Sequence, residues 1–279
     1  MPPMKVGLVQ TRTPANHAEA LAHVLPLVRE AAAGGARLIV TPEGTNILQK
    51  DRETLLPQLT LLADDPVVNG LRDAARELGV WIDVGSALVK REDGPNADRR
   101  AANRQVLIRP DGAIAATYDK LHMFDVDLPT GETARESATY EPGSAAVTAD
   151  IDGVRFGLTI CYDLRFPALY RALALAGAEV MTIPAAFTRP TGEAHWEVLM
   201  RARAIETGSY VLAPAQGGRH EDKRGTWGHS LVVEPWGQVI AKLDHDEPGV
   251  LLADLDLAAP GRARAAIPAL ANARAFTGP

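Results

Sequence analysis

The sequence has little of what marks secreted, membrane or metal-cluster proteins. It contains one cysteine in 279 residues, so no disulfide can form within the chain and no cysteine cluster can hold a metal. No apolar run approaches the length of about 18 uncharged residues that a membrane span requires. The apolar stretch near the N-terminus is also too short for the core of a signal peptide. We therefore expect a cytoplasmic protein with no membrane partner.

The chain also has no excess of positive charge. The chain has 29 Lys and Arg against 35 Asp and Glu, which gives a net charge of −6. Proteins that bind the phosphate backbone usually carry a basic surface, so we expect no nucleic-acid partner. With 46% hydrophobic and 23% charged residues, the composition is typical of a folded globular chain with a sizeable core.

Short β-branched runs alternate with helical stretches along most of the chain, and no linker or repeat interrupts them. The patterns predict strands at 6–10, 37–41, 80–89, 105–109, 113–118, 155–160, 180–184, 210–213, 229–234, 238–242 and 250–257. They predict helices at 19–32, 67–78, from 167 onward and 193–207, and a connection without clear periodicity at 120–143. We predict one α/β domain spanning residues 1–279, with a core at about 4–258 and a C-terminal tail at 259–279.

Cys161 is the first candidate for chemistry. It ends an apolar strand a few residues before a helix that begins near Pro167. A nearby helix N-terminus lowers the pKa of a thiol and makes it more reactive. The alternative is that Cys161 is a small buried hydrophobic residue, and its position alone does not decide between the two.

Two further residues could assist a nucleophile. Glu43 follows the buried strand at 37–41, where burial would raise the pKa of its carboxylate toward that of a general base; a cap or a solvated loop residue is the alternative. Lys120 is one of only six lysines against 23 arginines. A compact ammonium can stabilise a developing oxyanion, although an ordinary surface lysine is the alternative.

The motifs around these three residues resemble those of the nitrilase superfamily of carbon-nitrogen hydrolases. They are TPEG at Glu43, YDKLHMFDVD at Lys120 and GLTICYDLRFP at Cys161. The resemblance extends over about residues 6–257 and includes Glu136, which is similar to the second glutamate of that family. It implies an α-β-β-α sandwich, a Glu-Lys-Cys triad, and a homodimer or larger homo-oligomer.

The resemblance also implies a mechanism, thiol-dependent hydrolysis of a small amide to acid plus ammonia. In it, Glu43 takes the thiol proton and Cys161 attacks the carbonyl carbon to form a thioester. Lys120 and the backbone N–H of Tyr162 hold the oxyanion, and Glu136 orients Lys120 or the substrate. This mechanism uses no cofactor and no metal, and the seven histidines show no paired i, i+4 spacing of the kind that binds zinc.

Further motifs are similar to those of the Nit-type amidases within the family. They lie at 161–167, 191–199, 201–206, 228–230 and 235–237, and QGGRH at 216–220 favours the amidases of deaminated glutathione. We therefore expect deaminated glutathione as the substrate, with ω-amides such as α-ketoglutaramate second. A nitrilase, an N-carbamoyl amino-acid hydrolase and a catalytically silent acid-binding or regulatory protein of the same fold remain alternatives.

Such substrates carry carboxylates, which need a cationic partner. Arg165, four residues after the cysteine, is the candidate, and a salt bridge to Asp163 or to another structural carboxylate is its alternative. Phe187 and Thr191 are expected to precede the helix at 193–207 and to line the pocket. Trp196 is expected to pack in the core. The acidic run at 244–247 is expected to be a solvated hairpin tip.

Overall fold

Two six-stranded sheets packed face to face form the centre of the molecule, described here from a computed structural model of residues 3–92 and 99–278. The strands are β1 (Met4–Gln10), β2 (Leu38–Val40), β3 (Trp81–Val89), β4 (Ala102–Ile108), β5 (Ile114–Asp119), β6 (Asp125–Asp127), β7 (Thr133–Arg135), β8 (Val147–Ile151), β9 (Val154–Leu158), β10 (Val180–Thr182), β11 (Tyr210–Ala213), β12 (Gly217–Arg219), β13 (Gly225–Trp227), β14 (Leu231–Val233), β15 (Val239–Lys242) and β16 (Gly249–Leu255). The α-helices are α1 (His17–Ala33), α2 (Arg52–Leu55), α3 (Pro66–Leu78), α4 (Pro167–Leu175), α5 (Arg189–Thr207) and α6 (Ala259–Ala266). Short 3-10 turns occur at Leu56–Gln58, Leu62–Asp64, Glu136–Ala138 and Cys161–Arg165.

The two sheets have related topologies. The first has the strand order β16-β1-β2-β3-β4-β5, and the second has the order β15-β14-β11-β10-β9-β8. Each contains three parallel strands, β1-β2-β3 in the first and β9-β10-β11 in the second, flanked by antiparallel neighbours. Two small hairpins, β6–β7 and β12–β13, lie outside the sheets. Because parallel strands end at the same edge of a sheet, residues that follow them are brought together there.

Apolar side chains form three layers. Leu8 and Val40 of the first sheet pack with Phe156 and Leu212 of the second between the sheets. The outer face of the first sheet packs against α1 and α3, and the outer face of the second packs against α4 and α5. The predicted α-β-β-α sandwich is therefore confirmed. Within the described residues, none of the helices is long and apolar enough to cross a membrane.

Capping residues explain where the main helices begin and end. Asp65 caps α3 by accepting hydrogen bonds from the N–H groups of Val67 and Val68 at 3.0 and 2.8 Å. The helix ends at Gly79, which has a φ of +66°, a left-handed conformation that glycine adopts without strain. Gly208 ends α5 in the same way, with a φ of +59°.

Several predicted boundaries were wrong. The helix α5 begins at Arg189, four residues before the predicted start, because Pro190 is favoured in the first turn of a helix. Thr191 therefore lies inside α5 and does not precede it. The connection at 120–143 contains β6, β7 and a 3-10 turn, all too short for a periodic signal.

The acidic run at 244–247 is exposed at Asp244, His245 and Glu247, as predicted, but it is not a hairpin tip, because β15 and β16 belong to different sheets. The carbonyl groups of His245 and Glu247 accept hydrogen bonds from Gln10 Nε2 at 2.9 and 2.8 Å. The carboxylate of Asp246 forms a salt bridge with Arg189 at the start of α5. These contacts join the loop to β1 and α5. The buried side chain of Gln10 needs hydrogen-bond partners, and the two carbonyl groups of the loop supply them.

Candidate active site

The predicted catalytic residues all follow strands of the central sheets. Glu43 follows β2 and Lys120 follows β5 in the first sheet, whereas Cys161 follows β9 in the second. All three line a cavity of about 280 Å³, together with Glu136 from the turn after β7. The structure thus brings together four residues that are separated by up to 118 positions in the sequence.

Lys120 lies at the centre of this cluster. Its Nζ atom is 2.8 Å from Glu43 Oε1 and 2.8 and 2.9 Å from the two oxygens of Glu136. The Cys161 thiol lies beside the Glu43 carboxylate in the same cavity, and each group shifts the pKa of the other. Lys120 is only 2% exposed, so its charge is compensated by the two carboxylates and not by water.

Glu43 is held from both its backbone and its carboxylate. Gln216 Nε2 donates to the carbonyl oxygen of Glu43 at 2.9 Å, and the Ala186 N–H donates to Oε2 at 3.0 Å. Asn103 Nδ2 donates to Glu43 Oε1 at 2.9 Å and to Glu136 Oε1 at 3.3 Å. The carboxylate is therefore oriented before any substrate binds, with Cys161 and Lys120 as its remaining partners.

The backbone of Cys161 has an unusual conformation. Its φ is +49°, in the left-handed region that costs a residue other than glycine about 1 kcal/mol or more. The Cys161 N–H donates to the carbonyl oxygen of Pro184 at 2.9 Å, which helps to hold this turn. The conformation directs the chain from β9 into the short turn that precedes α4, with the thiol at the cavity.

The charges of the cluster shift its pKa values. Burial favours a higher pKa for Glu43, but the Lys120 ammonium and the hydrogen bonds from Lys120, Cys161 and Asn103 outweigh it and lower the pKa. The expectation of a raised pKa for Glu43 is therefore wrong. Burial and the neighbouring Glu43 raise the pKa of Cys161 well above its usual value, so the expected activation by the helix start does not dominate.

The pKa values of Lys120 and Glu136 are both raised. Burial alone would lower the pKa of Lys120, but Glu136 and Glu43 raise it well above its usual value. Burial and the charge of Glu43 raise the pKa of Glu136 despite its contact with Lys120. In the resting site, the thiol is therefore protonated while Glu43 is ionised and ready to accept its proton.

Comparison with known proteins places this site in a family. The sequence profile of the family described as carbon-nitrogen hydrolase matches residues 5–265. The chain belongs to the carbon-nitrogen hydrolase family. A human protein named deaminated glutathione amidase is 44% identical to this hydrolase over 236 residues, which are 83% of this chain and 70% of the human one.

Solved structures are similar along almost the whole chain. The C. elegans NitFhit protein has a TM-score of 0.89 and 30% identity, and the match covers 98% of this hydrolase and 66% of that protein. An amidase from Nesterenkonia sp. AN1, solved as a double mutant in complex with acrylamide, has a TM-score of 0.79 and 25% identity, with 98% and 94% covered. These matches confirm the predicted Nit-type resemblance and the predicted class, a thiol-dependent amidase.

The four residues predicted to bind substrate also line the cavity of the hydrolase, namely Tyr162, Arg165, Phe187 and Thr191. The guanidinium carbon of Arg165 lies 5.9 Å from the ring centroid of Tyr162 and 5.5 Å from that of Phe187. Thr191 Oγ1 is 2.8 Å from Thr188 Oγ1 at the start of α5. One cation and two aromatic rings thus form one wall of the cavity.

Arg165 does not pair with Asp163, so the alternative assignment for this arginine is wrong. Its Nη2 lies 3.3 Å from His195 Nδ1, and no carboxylate of the described residues forms a salt bridge with it. The carboxylate of Asp163 instead accepts hydrogen bonds from Tyr118 and His122. Arg165 therefore presents a guanidinium to the cavity that can accept a substrate carboxylate.

Two features of the site were missed in the sequence. Asn103, which bridges the two glutamates, is a buried polar residue of β4, but Arg104 and Gln105 beside it are also polar, so the sequence carries no signal that singles it out. The roles of Gln216 and Asp163 depend on contacts with distant segments, which the sequence does not display. Trp196 packs against Phe187 with a ring-centroid distance of 5.0 Å, which confirms its predicted place in the core.

No group of three or more His, Cys, Asp or Glu side chains suited to a metal ion occurs in the described part of the chain. His220 is buried, and burial next to Arg224 lowers its pKa to about 4. His122 contacts Asp163, so it has a structural partner within the site. The prediction of metal-free and cofactor-free catalysis stays a prediction.

Proposed function

We propose that this carbon-nitrogen hydrolase cleaves the amide bond of a small substrate that carries a carboxylate, through a thioester on Cys161. The observation that carries the proposal is the position of Glu43. Its carboxylate lies beside the Cys161 thiol and accepts a hydrogen bond from the Lys120 ammonium, 2.8 Å away. The Glu43 carboxylate can therefore act as the base for the nucleophile, Cys161, while it is bound to the cation, Lys120.

In the first step, Glu43 takes the thiol proton while Cys161 Sγ forms a bond to the carbonyl carbon. The carbonyl electron pair moves to oxygen, where Lys120 and the backbone N–H of Tyr162 stabilise the negative charge. The C–N bond then breaks, and Glu43 gives its proton to the leaving nitrogen. In the second step, Glu43 takes a proton from a water molecule whose oxygen attacks the thioester carbon; the C–S bond then breaks, the acid is released, and Glu43 returns the proton to Cys161 Sγ.

Glu136 keeps Lys120 in place throughout this cycle. Both of its oxygens contact the Lys120 ammonium, and Oε2 also accepts the N–H of Phe124 at 2.6 Å. Lys120 stays protonated because both glutamates raise its pKa, so it acts as a fixed positive charge and not as a base. This arrangement supports an electrostatic role for Lys120.

The substrate proposal rests on Arg165 and on the names of relatives. A guanidinium without a carboxylate partner among the described residues suits a substrate with an acid group. We place deaminated glutathione first, since relatives at about 40% identity carry that name, and short ω-amides such as α-ketoglutaramate second. Deaminated glutathione is a secondary amide and would release cysteinylglycine, so the expected ammonia product applies only to primary amides.

The experiment measures release of α-ketoglutarate, the acid that both amides produce. Wild-type protein is compared with Cys161→Ala, after circular dichroism shows that both are folded. We expect turnover of at least one amide by wild-type protein and none by the variant. The preferred compound identifies the substrate branch.

Absence of turnover by folded wild-type protein would contradict the proposal. Release of ammonia from the matching nitrile would then favour a nitrilase, and release of carbon dioxide from a carbamoyl compound would favour a carbamoylase. Binding of these acids without any turnover would favour a catalytically silent protein. The cytoplasmic location and the homo-oligomeric state stay predictions, and light scattering after gel filtration tests the second.

A further inference from the structure

One buried carboxylate joins the two segments that carry Lys120 and Cys161. Asp163 is fully buried, and its Oδ2 accepts the N–H of Ile160 at 2.9 Å and the hydroxyl of Tyr118 at 2.6 Å. Its Oδ1 lies 3.0 Å from the N–H of His122 and 2.7 Å from His122 Nδ1. We call these four residues, Tyr118, His122, Ile160 and Asp163, the Asp163 bridge.

The bridge flanks both reactive groups closely. Tyr118 and His122 lie two residues before and two residues after Lys120, whereas Ile160 and Asp163 lie on either side of Cys161. The segments come from different sheets, since Lys120 follows β5 and Cys161 follows β9. Within the bridge, the Asp163 carboxylate therefore makes every hydrogen bond that joins the Lys120 segment to the Cys161 segment.

The conformation of Cys161 needs such support. Its φ of +49° is unfavourable for a residue with a side chain, so neighbouring contacts must hold it. The hydrogen bond from the Ile160 N–H to Asp163 closes the turn around Cys161, and the bond from Cys161 N–H to Pro184 fixes its other side. Without Asp163, the N–H of Ile160 is left buried and without this acceptor.

A second contact reinforces the bridge. The ring of His122 stacks on the ring of Phe166, with 3.5 Å between centroids and an interplanar angle of 7°. Phe166 lies at the end of the turn Cys161–Arg165. The segment after Lys120 is thus packed on the segment after Cys161, in addition to being hydrogen-bonded to Asp163.

We propose that Asp163 is a positioning residue, which sets the distance between the Lys120 ammonium and the Cys161 thiol. The inference rests on the proposed function, because the distance matters only if Lys120 stabilises charge on atoms bonded to Cys161. Asp163 does not touch the substrate in this scheme. Its loss is therefore expected to lower kcat more than it changes KM, since binding through Arg165 is not altered.

The test compares Asp163→Asn with a matched control, Asp65→Asn. Asparagine keeps the size of the side chain but places an NH₂ group toward two of the four donors. Asp65 is also fully buried and accepts two backbone N–H groups, those of Val67 and Val68, but these cap α3. Both variants should lose stability, whereas only Asp163→Asn should lose activity.

Two readouts are measured on folded protein. The first is the kcat and KM of amide hydrolysis, for which Asp163→Asn is expected to lower kcat roughly ten- to a hundredfold with KM changed by no more than about twofold. The second is the rate at which iodoacetamide alkylates Cys161, the only cysteine in the chain. This rate needs no substrate, and it is expected to fall in Asp163→Asn and to stay unchanged in Asp65→Asn.

Equal kcat in Asp163→Asn and wild-type protein would overturn the proposal, as would an equal loss in both variants. If Asp163→Asn does not fold, Tyr118→Phe decides, because it removes one donor of the bridge and leaves the carboxylate in place. We then expect slower alkylation of Cys161, and an unchanged rate would overturn the proposal. If wild-type protein hydrolyses no amide, the proposed function fails, while the alkylation rates still test the bridge.

Discussion

Replacement of Asp83 by asparagine should stabilise the protein at alkaline pH. Asp83 lies on β3, is 1% exposed and faces the layer between the sheets. Its carboxylate accepts hydrogen bonds from Gln105 Nε2 at 3.0 and 2.8 Å, and Gln105 Nε2 also donates to Thr182 Oγ1 at 2.7 Å. No positive charge of the described residues stabilises its ionised form, and burial raises its pKa to about 7.

The sign of the effect follows from proton binding. In the unfolded chain Asp83 loses its proton near its usual pKa of 3.8, whereas in the folded chain it keeps the proton up to about pH 7. Between these values the folded state binds more protons than the unfolded state, so the free energy of unfolding falls as pH rises. A shift of about 3 pH units corresponds to about 4 kcal/mol, lost between about pH 4 and pH 7.

Asp83→Asn has no such proton to lose. We therefore expect the free energy of unfolding of the variant, minus that of wild-type protein, to increase by about 4 kcal/mol between pH 4 and pH 8. Any cost of the amide itself is the same at both values and cancels from this difference. The buried Oε1 of Gln105, which has no hydrogen-bond partner among the residues that the structure describes, offers an acceptor for the new NH₂ group.

Urea denaturation followed by tryptophan fluorescence measures the effect at a series of pH values. Asp244→Asn is the control, because Asp244 has a side chain that is 86% exposed, and its substitution should change stability by no more than about 0.5 kcal/mol at any pH. Parallel curves of stability against pH for Asp83→Asn and wild-type protein would refute the reasoning. Such a result would mean that Asp83 is ionised in the folded protein at neutral pH.

Three further substitutions test the site and its support. Arg165→Gln should raise KM for carboxylate-bearing amides by about tenfold or more, because a charge-assisted hydrogen bond to the substrate is lost; steady-state kinetics measures it. Gly85→Ala should lower the free energy of unfolding by about 3 kcal/mol in urea denaturation, since the added Cβ would lie 1.9 Å from the carbonyl oxygen of Thr41. Asn103→Leu should raise the pKa of Glu43 and move the acid limb of kcat/KM upward by about one pH unit, because a donor to the ionised carboxylate is removed.

Matched variants separate these effects from general damage. Arg171→Gln changes an exposed arginine of α4 and should leave KM unaltered, so an equal rise in both arginine variants would contradict the role of Arg165. Gly261→Ala adds a Cβ that meets nothing within 4 Å, and its stability should not fall. An acid limb that stays in place or moves downward in Asn103→Leu would contradict the proposed effect on Glu43.

The sequence predicted the parts of the fold in which local patterns are strong. Continuous apolar runs identified the buried strands β1, β2 and β9, and the turns at 110–112 and 235–237 identified the hairpins β4–β5 and β14–β15. The three-residue strands β6, β7, β12 and β13 were missed. Alternation with a period of two needs at least four residues to be distinguished from chance, and these strands offer three.

The sequence identified candidate site residues where they lie in characteristic motifs and missed residues whose partners are distant in the chain. Glu43, Lys120 and Cys161 are found in such motifs, and the structure brings them together. Asn103 contacts Glu43 from 60 positions away, and Asp163 contacts Tyr118 from 45 positions away. A buried polar residue of this kind looks in the sequence like any other polar residue, because only the pairing of the two sheets supplies its partners.

The charge of the cluster explains why the nucleophile is not activated in advance. Two carboxylates, Glu43 and Glu136, surround one ammonium, Lys120, so the fully ionised cluster already carries one negative charge. A thiolate at Cys161, which is 7% exposed, would add a second negative charge with little water to stabilise it. The proton must therefore leave the thiol as the bond to carbon forms, when the new charge moves onto the substrate oxygen. An ionised Glu43 with a lowered pKa suits that step, because it is present as a base at neutral pH, where the thiol is still protonated.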